Sequence, residues 1–407
     1  MIKRDMYIQK LMEAKDKRLI KILTGIRRAG KSSIFRMYQD LLISSGVKPN
    51  QIISINFEDM DFEYLLDKTV LYTYLKEHLI PDKINYIFLD EIQNVPEFQK
   101  VVDSLYIKDN VDIYLTGSNA YLLSGEIATL LSGRYIEIKI LPLSFKEYIS
   151  AFPDKNDLRR KYNNYLTNSS FPYTLYLREN KELISDYLQG IYNTVILKDI
   201  VARKKIADVS VLERVIRFMF DSIGSTVSVA KISNTLTSYG RKISNHTVEN
   251  YLVALCDSYI LNKVTRFDIK GKQHLKVGEK YYLTDIGLRY MLLGSKNTDY
   301  GHILENIIFL ELIRRGYEVF VGKLSPGILS QGTFSQTEVD FVATKNGTTE
   351  YYQVAFTVVE HKILERELRP LDLINDHNAK FLLTLDEVPE TSHNGIKQIN
   401  ALDWLLK

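Results

Sequence analysis

Short apolar runs alternate with longer stretches of helical spacing through the first third of the chain. The runs lie at 19–23, 51–57, 86–89, 111–115 and 135–141, each of strand length and rich in Ile, Leu, Val, Phe and Tyr. Runs that lack polar alternation are buried on both faces, as in a parallel sheet covered by helices. Helical spacing fills the gaps, at 33–44 with a stop near Gly46 and at 71–79. Ahead of the first run, residues 1–18 form an amphipathic pattern with Met6, Ile8, Leu11 and Met12 among Lys and Glu. The class that follows is α/β.

Beyond residue 143 the pattern changes twice. Residues 144–205 carry Tyr, Leu and Lys at helical spacing, and the tyrosines read as packing between helices rather than as a base-stacking platform. From 208 to 293 the helices are short, at 211–223, 228–236 and 244–257, the last opening on a Ser/Asn cap. A glycine-containing connection at 237–242 gives the layout of a helix-turn-helix. Strand-like segments at 260–267 and 280–283, with a loop at 268–279, follow as a wing would. The remainder, 296–407, reads as helix, strand, strand, strand, helix, strand, with the helix at 303–315 and strands at 338–342 and 351–356.

The bulk numbers narrow the setting without choosing an activity. At 407 residues the chain exceeds one ordinary core, and 45% apolar with 25% charged residues is a globular composition. Lysine and arginine number 53 against 50 acids, a net charge of +3, so any nucleic-acid affinity must come from a local patch. A single cysteine, Cys256, excludes an intramolecular disulfide and a Cys-rich zinc site and suits the reducing cytoplasm. The N-terminal stretch has no continuous apolar core, and no run of about 18 uncharged apolar residues occurs, so neither export nor membrane spanning is expected.

The chemistry concentrates where the apolar runs end. Gly25, Ile26, Arg27, Arg28, Ala29, Gly30, Lys31 and Ser32 fit G-x-x-x-x-G-K-[ST] between a strand and a helix that opens at Ser33. Such a turn wraps phosphate oxygens in backbone N–H groups at the positive end of a helix. Lys31 is expected on the β- and γ-phosphates and Ser32 on Mg²⁺. The run at 86–89 ends in Asp90 and Glu91. Asp90 is placed for the Mg²⁺ shell and Glu91 for polarising a water toward the γ-phosphate. The run at 111–115 leads into Thr116, Gly117, Ser118 and Asn119, whose polar groups would sit beside the γ-phosphate as a sensor, or else form a hydrogen-bonded turn. Arg134 enters the last run, where it could neutralise transition-state charge in cis or in trans, or make a surface salt bridge.

The segments GIRRAGKSS, YIFLDEIQNV, LTGSNAYLLS, LLSGRY and LPLSFKEY, in this order and spacing, resemble the AAA-type ATPase module of a prokaryotic family whose C-terminal half is a domain of unknown function. The likeness continues through residues 192–200 and 301–306 and so covers nearly the whole chain. It implies ATP and Mg²⁺ as cofactors, Lys31 and Ser32 as phosphate and Mg²⁺ ligands, Asp90 and Glu91 as the Walker B pair, and Ser118 or Asn119 as the sensor. It also implies a P-loop NTPase parallel sheet over 1–143, a helical lid over 144–207, a winged helix over 208–295 and a nuclease-like α/β domain over 296–407. One departure is visible. The family commonly has Gly-Gly where this chain has Ser169 and Ser170 before Phe171 and Pro172.

The second half leaves more open. Across 263–280 six basic residues, Lys263, Arg266, Lys270, Lys272, Lys276 and Lys280, face two acids, a local surplus of four. With Arg241, Lys242, Asn245, His246 and Asn250 nearby, this surface could lie along double-stranded DNA or dock a protein partner. The last region resembles a PD-(D/E)XK nuclease core with Asp340 in the Asp position and Glu305 as helper. Its E-x-K position reads Gln353, Val354, Ala355, so one ligand is neutral and the lysine is missing. A degenerate scaffold or DNA-binding module is therefore expected, and the histidines show no zinc spacing. The function expected is an ATPase coupling hydrolysis to this effector half. An ATP-gated nuclease in defence or mobile-element biology and an ATP-controlled DNA-binding regulator are the alternatives. The oligomeric state is left open.

Overall fold

A computed structural model of the chain describes every residue except 1, 119, 121–130, 155, 195–199, 205, 207, 239, 241–242, 296–298 and 325–336. It divides into two compact units, one of Met1–Pro142 with Asp257–Tyr259, the other of Leu143–Cys256 and Ile260–Lys407. Among the described residues no helix is long and apolar enough to cross a membrane.

The first unit is built on five parallel strands, β1 (Ile20–Thr24), β2 (Ile52–Asn56), β3 (Asn85–Asp90), β4 (Val111–Thr116) and β5 (Tyr135–Lys139), in the order β2-β3-β4-β1-β5. Every residue of β1 and of β3 is buried, as continuous apolar runs require. On one face α2 (Lys31–Ser44) packs Ile34, Phe35 and Tyr38, with Phe35 edge-on to Phe88 at 5.1 Å and Phe88 stacked on Tyr114 at 4.6 Å. The other face receives Phe98, Val101, Val102 and Leu105 of a helix at Phe98–Tyr106. Lys21 interrupts the apolar run of β1 and is fully buried, paired with Asp112 of β4. The chain leaves β1 over α2 in one direction and reaches β5 on the other side, so the ligand-accepting crevice of such a sheet opens at the C-terminal end of β1.

The second unit holds an eight-stranded mixed sheet, β6 (Leu261–Asp268), β7 (Gln273–Leu283), β8 (Glu318–Leu324), β9 (Thr337–Lys345), β10 (Thr348–Ala355), β11 (Ala379–Thr384), β12 (Thr391–His393) and β13 (Ile396–Asn400), ordered β12-β13-β11-β10-β9-β8-β6-β7. Helices at Val209–Asp221, Val229–Ser238 and Asn245–Asp257 precede the β6–β7 hairpin, within a residue or two of the expected positions. The hairpin does not stand apart as a wing. Strand β6 pairs in parallel with β8 through Arg266–Val321, Phe267–Gly322 and Asp268–Lys323. Nor is the 268–279 segment all loop, because β7 begins at Gln273 and leaves a short turn. Several of the tyrosines expected as packing are so used: Tyr162 and Tyr165 are buried against Phe145 at ring separations of 5.4 and 5.6 Å, and Tyr148 is buried against Tyr165 at 5.3 Å, whereas Tyr173 and Tyr176 are exposed.

The serines that replace the family's glycines keep a glycine-like turn. Ser169 is left-handed, with φ of 75°, and its Oγ donates to Asp285 Oδ2 at 3.0 Å while accepting from the Phe171 N–H at 3.1 Å. Ser170 adds its N–H and its hydroxyl to the same oxygen, at 2.7 and 2.6 Å. Asp285 Oδ1 caps the next helix through the Leu288 N–H at 2.9 Å. Burial raises the Asp285 carboxyl above its ordinary pKa even against these donors. Asp285→Ala leaves several buried donors unmatched, and the expected loss is about 3 kcal/mol of stability. An unfolding free energy from urea denaturation within a few tenths of a kcal/mol of wild type would show the turn holds without it.

Candidate nucleotide-binding site

Strand β1 ends at Thr24, and the chain turns sharply at Gly25, where φ is +135° and an added Cβ would stand 2.1 Å from the Ile140 carbonyl oxygen. Only glycine fits there. Arg28 and Gly30 are also left-handed, and Gly30 caps α2. Left-handed residues placed this way curl successive N–H groups toward one centre at the positive end of the helix. Ile26 and Ala29 are buried and anchor the loop, while Ser32 and Ser33 are exposed at the first turn of α2. Arg4, just ahead of the helix Asp5–Glu13, is buried and donates to the Ala29 carbonyl at 3.1 Å and to that of Leu141 at 2.6 Å.

Lys31 lies across the loop it belongs to. Its Nζ is 3.1 Å from the Gly25 carbonyl, 3.5 Å from that of Ile26 and 3.6 Å from Glu91 Oε1, with 4% of the side chain exposed. Burial lowers its pKa, although Glu91 and Asp90 both work to hold the charge. Asp90 closes β3 and is raised by burial against the pull of the Ser32 and Thr116 hydroxyls. For Glu91 the balance tips the other way: burial is outweighed by Lys31, Gln93 and Ser118, and its pKa stays below the usual carboxylate value.

Thr116, at the end of β4, ties the two acids together. Its hydroxyl donates to Asp90 and accepts the Glu91 N–H at 2.9 Å, which holds Glu91 in a left-handed conformation with φ of 53°. Gln93 Nε2 donates to Glu91 Oε2 at 2.5 Å. The Ser118 hydroxyl is buried beside the Glu91 carboxylate without a hydrogen bond of good geometry. A buried hydroxyl without a partner, a buried lysine resting on carbonyls and a strained acid together fit an anionic ligand.

The structure thus brings together Gly25 to Ser32, Asp90, Glu91 and Ser118. Asn119 lies outside the described residues. Arg134 is not brought to this site. It precedes Tyr135, which pairs with Ile20 at the far end of β1, four residues or about 13 Å from Thr24, and it forms an ion pair with Asp103. Sequence reasoning missed three contributors, Arg4, Gln93 and the bridging role of Thr116; for Thr116 the signal was a hydroxyl residue at a strand end.

The other expected residues lie in the second unit. Asn245 and His246 are exposed at the start of their helix, and Lys270 and Lys272 are exposed in the β6–β7 turn; Arg241 and Lys242 lie outside the described residues. The expected basic surplus is largely consumed within the unit. Lys263 pairs with Glu279 at 2.5 Å, Arg266 with Glu338 at 2.5 Å, and Lys280 is buried. Glu305 and Asp340 are brought close to each other around Lys280, at 2.9 and 4.0 Å from its Nζ. Gln353 accepts the Asp340 N–H at 3.3 Å and donates to Glu367 at 2.9 Å.

Comparison with known proteins agrees with this geometry. The profile of a family described as an AAA domain matches residues 17–149, and that of a domain of unknown function matches 159–299. An uncharacterized protein of Haemophilus influenzae is 40% identical over 413 residues, covering 100% of this chain and 99% of its own. The chain belongs to the family of that protein. A second relative, from Methanocaldococcus jannaschii and also uncharacterized, is 34% identical over 73% of this chain and 67% of its own. Among solved structures, the Walker-type ATPase of Pyrococcus abyssi aligns with a TM-score of 0.49 at 15% identity, over 72% of this chain and 96% of that one. Residues 17–149 of the first unit thus match an AAA-domain family, and its five-stranded parallel sheet has the fold of P-loop NTPases.

Proposed function

We propose that this protein binds ATP with Mg²⁺ and hydrolyses it, and that the nucleotide state of the first unit controls what the second unit binds. The observation that carries the reading is the convergence of Lys31, Asp90, Glu91 and Ser118 at the C-terminal ends of β1, β3 and β4. In that reading the loop amides and Lys31 hold the phosphates, and Ser32 with Asp90 holds Mg²⁺, which supplies charge neutralisation at the phosphoryl oxygens. Nucleotide oxygens would complete that shell. Glu91, kept ionised by Lys31, orients a water for attack on the γ-phosphate, with Gln93 steadying it.

The second unit is read as a protein-docking module in preference to a DNA reader. The helix Asn245–Asp257 contains no lysine or arginine, and its exposed face includes Asn245, His246, Glu249, Asn250 and Val253. Among the described side chains of the β6–β7 turn the exposed cations are Lys270 and Lys272, and a duplex held by these two alone should show a salt slope near −2, a loss of only about tenfold between 50 and 200 mM salt. Phosphate release is measured with and without Mg²⁺, and with and without duplex DNA at both salt concentrations. Hydrolysis that needs Mg²⁺ and ignores DNA supports the reading. Absence of hydrolysis sinks the ATPase assignment, and stimulation by DNA that collapses steeply with salt restores the DNA reader.

A further inference from the structure

The mixed sheet of the second unit carries a buried charge that local sequence does not explain. Lys280 leaves β7 and runs inward until its Nζ lies 2.9 Å from Glu305 Oε1, 2.8 Å from Glu338 Oε1 and 4.0 Å from Asp340 Oδ1, with 6% of the side chain exposed. The three acids come from two elements, Glu305 from the helix Tyr300–Arg314 and the other two from alternate positions of β9, which therefore share a face. A convergence of carboxylates on one buried point is the form of a hard-cation site. Here the point is filled by the chain itself.

We propose that Lys280 is a built-in substitute for a divalent cation, so that this nuclease-shaped core is held together and largely neutralised without metal. Each acid already has its partners. Glu305 takes Lys280 and the Tyr282 hydroxyl at 2.5 Å, Glu338 takes Lys280 and Arg266, and Asp340 takes the Val354 N–H at 2.8 Å beside Lys280. Buried Lys280 and half-buried Arg266 thus offset two of the three carboxylates from within the chain. Burial alone would discharge Lys280, but Glu305, Asp340 and Glu338 more than offset it and keep it protonated. A divalent ion entering this cluster would meet an ammonium where its ligands converge, with too little excess negative charge to repay its dehydration. Gln353 fits the same account: a neutral side chain suffices where the chain's own cations already offset the acids, and its amide instead links Asp340 to Glu367.

The test is Mn²⁺ binding to the full nucleotide-free chain, read as loss of the free-ion electron paramagnetic resonance signal, with thermal unfolding measured in parallel. In the wild type, Asp340→Asn should change Mn²⁺ binding by nothing measurable. Lys280→Ala and Lys280→Ser should each gain one Mn²⁺ per chain, and their lowered Tm should rise again with Mn²⁺. Adding Asp340→Asn to either should abolish both effects, whereas Lys280→Arg should bind no Mn²⁺. Wild-type Mn²⁺ binding that disappears in Asp340→Asn overturns the proposal, because Lys280 and a metal would then coexist. So does a folded Lys280→Ala that gains no ion. If the small variants fold only when Mn²⁺ is present, the proposal stands; if Mn²⁺ does not recover them, it falls.

Discussion

Glu91→Gln is expected to lower ATP turnover by roughly 10²- to 10⁴-fold while ATP affinity stays within a few-fold of wild type. The amide keeps the shape of the side chain, so the Glu91 N–H can still reach Thr116 and the left-handed turn is preserved. What disappears is the negative charge that polarises water, and with it the charge that Lys31 meets at 3.6 Å. Losing that partner frees Lys31 for phosphate, which is why affinity should not fall. Steady-state phosphate release and equilibrium titration with a fluorescent ATP analogue separate the two quantities. Equal turnover in the variant would remove Glu91 from the role of base and leave Asp90, on the Mg²⁺ side, as the acid to examine.

The nucleotide site was legible because its parts are local. A P-loop is eight consecutive residues between a strand and a helix, and the acid pair is marked by the strand that ends in it; both signals survive without knowledge of the fold. Thr116 was visible only as a polar strand end, since its bonds to Asp90 and to Glu91 depend on β3 and β4 being neighbours. Arg134 shows the converse. Its motif left open a phosphate-facing role in cis or in trans and a surface salt bridge. Parallel pairing of β5 with β1 puts its strand entrance at the end opposite the P-loop of its own chain, where it pairs with Asp103.

In the second unit, element type was legible and partnership was not. Helical and strand spacing located the three short helices and the β6–β7 hairpin, yet nothing local says that β6 pairs with β8 across some fifty residues. The same blindness misplaced the charges. Lys263, Arg266 and Lys280 read as a basic wing because sequence neighbours are mostly basic, while Glu338, which takes two of them, lies far along the chain. Burial of a lysine becomes tolerable only through such distant acids, and a count of local charge cannot see them.

Lys31→Ala should weaken ATP binding by about 30- to 4000-fold, the equivalent of roughly 2–5 kcal/mol for truncating one member of a buried charged contact. The loop should still fold, since Gly25, Arg28 and Gly30 set its conformation by backbone geometry and the Arg4 contact to the Ala29 carbonyl is untouched. The free protein pays separately. Glu91 owes its lowered pKa in large part to Lys31, so in the wild type it contributes stability that is present above its unfolded pKa near 4.5 and lost as pH falls through the lower folded value. Without Lys31 burial dominates, the Glu91 pKa rises, and that contribution reverses sign at neutral pH. Lys31 is itself held below its ordinary pKa by burial, so removing it also relieves a cost at pH 7. The mark of the lost pairing is that Lys31→Ala gains stability relative to wild type as the solution is acidified toward pH 5. Lys31→Met, which keeps the buried stem and removes only the charge, should reproduce both effects; recovery of either in that variant would assign it to packing instead of charge.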